Sequence, residues 1–117
     1  MPMATAQTPP ARLTRRAAFL RLAAKGRKTA KHGFVLQAVQ DGQAESVRVG
    51  YTATKKIGNA VCRNRAKRRL REAARLVLAG RELPGVELVL IARRETGEME
   101  FARLTQNLKR ALDEVLA

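Results

Sequence analysis

The sequence predicts an α+β domain, a single sheet with helices packed on one face. Two stretches, 59–79 and 99–116, repeat apolar residues at helical spacing, and they alternate with β-rich runs at 34–40, 47–54 and 86–92. The 117 residues are enough for one core and too few for a second of useful size. Hydrophobic residues make up 45%, but 20 are alanine and only four side chains are aromatic, so the core is built from Leu, Val and Ala.

Residues 1–11, MPMATAQTPPA, hold three prolines and no periodicity; they read as a disordered tail before a folded domain at 12–117. Thr14 is placed to cap a short helix that Gly26 ends, with Ala18, Phe19 and Leu22 on its buried side. FVLQAVQ (34–40) and VRVGYTAT (47–54) read as strands joined by a turn at Asp41-Gly42. In the second, Val47, Val49, Tyr51 and Ala53 share one face and Ser46, Arg48, Gly50 and Thr52 the other. In the 59–79 helix, Cys62, Ala66, Leu70, Ala73 and Val77 form one apolar stripe, which makes Cys62 a buried thiol. VELVLIA (86–92) is apolar at all but one position and suits a strand covered on both faces. The final helix buries Phe101, Leu104, Leu108, Ala111, Leu112 and Val115.

The formal charge is +14, and it is concentrated. Residues 1–31 carry eight Lys/Arg and no acid; residues 55–75 carry nine with Glu72 as their only acid. Such an excess costs stability by self-repulsion and points to a polyanionic partner. No apolar run reaches membrane-spanning length, so no membrane partner is expected. One cysteine, Cys62, allows no disulfide framework within the chain and fits a reducing compartment. One histidine, His32, leaves no His/Cys zinc cluster, and the carboxylates of 76–117 show no paired acid/base spacing. Opposite the apolar stripe of the 59–79 helix, Arg65, Lys67, Arg68, Arg69, Arg71 and Arg75 fan over a wide arc. A merely solvated helix alternates its signs; this one does not, and its face suits phosphates.

The run Lys55-Lys56-Ile57-Gly58-Asn59-Ala60-Val61-Cys62-Arg63-Asn64-Arg65-Ala66-Lys67-Arg68 resembles the signature of the bacterial ribonuclease P protein subunit. Arg12-Leu13, Phe19, Gly26, Phe34-Val35-Leu36 and Ile91-Ala92-Arg93 also fall where that family has comparable residues, so the resemblance runs from about residue 12 to the end. It implies an αβββαβα two-layer sandwich with a mixed sheet and a left-handed β-α-β crossover, which the right-handed rule would not have predicted. It implies a protein that assists a catalytic RNA in removing the 5′ leader of precursor tRNA. On that pattern, hydrolysis rests with the RNA, magnesium is held mainly by RNA and substrate, one protein joins each RNA, and the location is the bacterial cytoplasm.

Carried over residue by residue, Arg63, Asn64, Arg65, Lys67 and Arg68 match the RNA-contacting motif, and Lys55, Lys56, Asn59 and Arg71 extend it. The Asn64 amide both donates and accepts, and so can read a base or a 2′-hydroxyl. Gly58 and Asn59 suit a turn and helix cap, or N–H groups aimed at a phosphate. The resemblance further implies a leader-binding cleft with Phe19 and Phe34 as stacking residues and Arg21, Lys31 and Arg48 as charges. Two other positions where relatives carry aromatics are Ala23 and Gln37, which thins that platform. Phe19 is alternatively a core residue of its helix. The competing readings are a non-enzymatic RNA-binding module of ribosomal type and a major-groove DNA reader, the latter opposed by the absence of a paired short helix before 59.

Overall fold

The computed structural model describes residues 10–42, 45–81 and 83–116. In chain order they form β1 (Ala11–Arg12), α1 (Arg16–Lys25), β2 (Arg27–Lys31), β3 (Phe34–Val39), β4 (Arg48–Thr52), α2 (Ala60–Leu78), β5 (Glu87–Ala92) and α3 (Phe101–Val115). Turns of 3-10 helix at Lys55–Ile57 and Arg94–Gly97 precede α2 and α3. The α+β class and the αβββαβα order agree with expectation, with the two-residue β1 added. Of the expected tail, residues 1–9 lie outside the described residues, while Ala11 and Arg12 pair in parallel with Arg48 and Val49.

The sheet is mixed, in the order β1-β4-β5-β3-β2. β4 and β5 are parallel neighbours joined through α2, and β5 runs antiparallel to β3. The strands at 34–40 and 47–54 therefore do not pair with each other; β5 lies between them. Its Leu88, Val89 and Leu90 are all buried, and only a central position covers both faces of such a strand.

Register sorts the side chains into two layers. Phe34, Leu36 and Ala38 of β3 share a face with Leu88, Leu90 and Ala92 of β5 and with Val49 of β4, and they meet α2 and α3. Val39 and Val89 lie on the other face, where they pack with Leu13 and Leu22, joined by Ala18 and Phe19 of α1 and by Ile91. Helices on a single face thus holds for α2 and α3 only. α1 covers part of the opposite face, because its buried side meets the odd-numbered residues of β3 and β5.

Local chemistry explains the ends of the elements. Arg15, not Thr14, occupies the N-cap position of α1, with no side-chain cap, and the Gly26 N–H closes the helix on the Leu22 carbonyl at 2.9 Å. In α2 the buried stripe is Ala66, Leu70, Ala73, Ala74 and Leu78. Cys62, expected to begin that stripe, is exposed. The first turn of α2 stands beside the Arg94–Gly97 turn, where Cys62 lines a small surface cavity with Ile57, Arg65 and Arg94. That second turn is held to the β2–β3 turn. Thr96 Oγ1 donates to the Gly33 carbonyl and accepts from the Arg93 N–H, and Glu95 accepts from the Gly33 N–H at 3.1 Å.

Candidate nucleic-acid interface

The entry to α2 is built by two residues. Gly58 has φ of 144°, open to glycine and strained for any other residue. Asn59 then caps the helix, its Oδ1 accepting from the Cys62 N–H at 3.0 Å. Of its two expected roles, the cap is the one the structure displays. Lys55 and Lys56 are exposed in the turn just before it.

Beyond the cap, Asn64, Arg65 and Arg68 are exposed and Lys67 is half-buried. With Val61 and Arg71 they line an open concavity of about 570 Å³. Arg63 turns back to the Gly58 carbonyl at 3.4 Å. Two members of the expected basic arc have structural work instead. Arg69 donates to the Gly97 carbonyl at 2.8 Å and to that of Met99, and its guanidinium lies 5.8 Å from the Phe101 ring centroid. Arg75 pairs with Glu72, and that hydrogen bond lowers the Glu72 pKa. Arg71 sits 5.9 Å above the Tyr51 ring, whose phenol is pushed up to about 12 by burial against the opposing pull of Arg71 and Arg12.

The second surface is the sheet face beside α1. Phe19 is half-buried there and packs over Gly50; a Cβ on Gly50 would stand 2.5 Å from Phe19 Cζ. It therefore belongs to the α1 layer, packed on that cluster with part of its ring left open. Gln37, 8% exposed, pairs with Val89 on the same face. Past Phe19 the face opens into a groove lined by Val35, Ile91, Lys56, Arg93 and Arg94 at the carboxyl ends of β4 and β5. Arg48 is exposed on this face, in register with Glu87, and shares a concavity with Arg12 and Arg15.

Two expected cleft residues lie on the other face, and a third is already paired. Phe34 is fully buried in the core on the opposite face, under α2 and α3. Phe34 and Gln37 are an odd number of residues apart in one strand and cannot share a face, so strand alternation alone would have separated them. Lys31 pairs with Phe34 across the β2–β3 ladder, which turns it to the α3 side, where it meets Glu114. Arg21 is on the α1 side but its guanidinium is taken by Glu87, at 3.0 Å, and by Asp41. Sequence reasoning also left out Arg93 and Arg94 as site residues, although Arg93 closes one of the matched segments.

A family model described as Ribonuclease P matches residues 8–116. The chain belongs to the ribonuclease P protein family. It is 50% identical over 101 residues to the ribonuclease P protein component of Gluconacetobacter diazotrophicus, covering 86% of this chain and 87% of that one. The component from Paramagnetospirillum magneticum is 50% identical over 108 residues, with 89% and 81% covered. Among solved structures, the ribonuclease P protein of Staphylococcus aureus superposes with a TM-score of 0.74 at 28% identity, covering 88% of this chain and 93% of that one. The Thermotoga maritima protein gives 0.73 at 27% identity, with 89% and 96% covered. A ribonuclease P protein component works within a ribonucleoprotein, so its partner is RNA, and the readings as a ribosomal-type module or a DNA reader are set aside. Among the described residues no helix is long and apolar enough to cross a membrane.

Proposed function

We propose that this chain binds the catalytic RNA of ribonuclease P through the outward face of α2 and holds the single-stranded 5′ leader of precursor tRNA along the cleft beside Phe19. The observation that carries the reading is the α2 face itself: Asn64, Arg65 and Arg68 stand exposed around one concavity, while the neighbouring Arg69 and Arg75 are engaged within the fold. Clustered cations of this kind give phosphate affinity, and Arg adds bidentate geometry. Phe19, Arg48, Lys56, Arg93 and Arg94 supply the cleft with an aromatic edge and charge, which grips a strand without reading its sequence.

On this reading the RNA performs the hydrolysis, one protein joins each RNA, and the particle works in the bacterial cytoplasm. Among the described residues no group of three or more His, Cys, Asp and Glu side chains is placed to hold a metal ion. Magnesium takes oxygen ligands, and the phosphates drawn to these cationic faces supply them. The protein's part is to neutralise phosphates and to position the strand.

Reconstitution tests the reading. With a bacterial ribonuclease P RNA at low magnesium, the protein should stimulate 5′ cleavage of precursor tRNA and show no cleavage without the RNA. Robust cleavage by RNA-free protein would overturn the division of labour.

A further inference from the structure

The polar face of α2 carries an exposed apolar side chain in its first turn. Val61 is 75% exposed, above Leu20 and Leu76 among the exposed large hydrophobic side chains of the described residues. It stands at i to Asn64, Arg65 and Arg68 at i+3, i+4 and i+7, so the four share one stripe of the helix. With Lys67 and Arg71 they enclose the 570 Å³ concavity. Among the described residues α2 packs through Ala66, Leu70, Ala73, Ala74 and Leu78, and the Val61 side chain is not part of that contact. Helix formation does not ask for it either, because a β-branched residue is a weaker helix former than alanine.

The ligand that fits is set by chemistry. Phosphates suit the cations, but an isopropyl group among them needs an apolar partner, and the apolar surfaces of a nucleic acid are its ribose and base faces. In an A-form duplex the base faces are stacked and out of reach; in loops and bulges they are splayed out, with their edges free. An amide that both donates and accepts, beside an apolar floor, suits one such base. We infer that Val61 and Asn64 form a subsite for one unstacked nucleotide of the RNA partner, its base face on Val61 and its edge on the Asn64 amide, with Arg65 and Arg68 on the flanking phosphates. This rests on α2 being the RNA-binding face.

The test is a salt series of affinities for a bacterial ribonuclease P RNA, measured for the wild type, Val61→Ala and Arg68→Ala, with thermal melts beside each. Arg68→Ala should weaken binding and reduce the slope of log K against log salt by about one. Val61→Ala should weaken binding by up to about fifteenfold at every salt concentration, in line with two lost apolar carbons, and leave the slope and the melting temperature unchanged. On a fully paired, blunt-ended RNA duplex Val61→Ala should have no effect. If Arg68→Ala weakens binding and Val61→Ala does not, the subsite falls and the RNA-binding face stands. If neither matters, the face falls too. Equal losses on the paired duplex and the catalytic RNA would overturn the unstacked nucleotide.

Discussion

Phe19 of α1 rests directly on Gly50 of β4: a methyl group at residue 50 would stand 2.5 Å from the ring's Cζ and 2.6 Å from Cε1. The placement of the Phe19 ring thus depends on a missing side chain in the sheet beneath it. Gly50→Ala should push the ring outward and destabilise the fold by about 1–3 kcal/mol, the usual range for overpacking. Phe19→Ala in the same chain should recover part of that loss. A double-mutant cycle from denaturant unfolding checks the point; effects that add within about 0.5 kcal/mol would show that the two residues do not press on each other.

Arg68 and Arg69 are sequence neighbours with opposite duties. Arg68 is exposed, so Arg68→Ala should change stability by less than about 0.5 kcal/mol while lowering RNA affinity. Arg69 holds the Gly97 and Met99 carbonyls at the entry to α3, so Arg69→Ala should cost about 1–3 kcal/mol and leave the salt slope of RNA binding near that of the wild type. Unfolding curves and binding isotherms on the two variants separate these outcomes, and a reversed pattern would exchange the roles.

Tyr51 is the only tyrosine in the chain, so its ionisation is readable without interference. Burial pushes its phenol up to about 12, against the ordinary 10.0. A raised pKa means that the folded state holds the proton more tightly. The contribution to stability is therefore present below pH 10 and is lost as pH rises toward 12. Ultraviolet titration should show little tyrosinate at pH 10, and Arg71→Ala should delay it further by removing an opposing charge. Half-ionisation near 10 in the folded wild type would contradict the burial.

Glu95 acts at the acid end. Its pKa is held below the ordinary 4.5 by its own backbone N–H, then by the Gly33 N–H and the charges of His32 and Arg93. A depressed carboxylate adds stability above its unfolded pKa and loses it as pH falls through the folded value. Glu95→Gln should therefore melt below the wild type at neutral pH, and the gap should narrow as the pH is taken below 4.5. A gap that stays constant with pH would mean that the carboxylate's charge does not hold the two turns together.

Much of this protein was legible before any fold was known. Helical periodicity marked α2 and α3, short β-rich runs marked β3, β4 and the nearly all-apolar β5 to within a few residues, and the charge-rich run from Lys55 to Arg68 marked both the family and the helix that carries its basic face. These are local properties: the period assigns residues to the faces of one element, and a motif lies within a single turn and helix. The sequence could also have separated Phe34 from Gln37, since strand alternation is equally local. It could not say that β5 enters between β3 and β4, or that α1 takes the opposite face from α2 and α3, because those choices minimise exposed apolar area over the whole sheet. Nor could it say which cations are already spent. Arg21 finds Glu87 from 66 residues away and Lys31 finds Glu114 from 83, and only the assembled layers bring such long, flexible side chains within reach of those carboxylates.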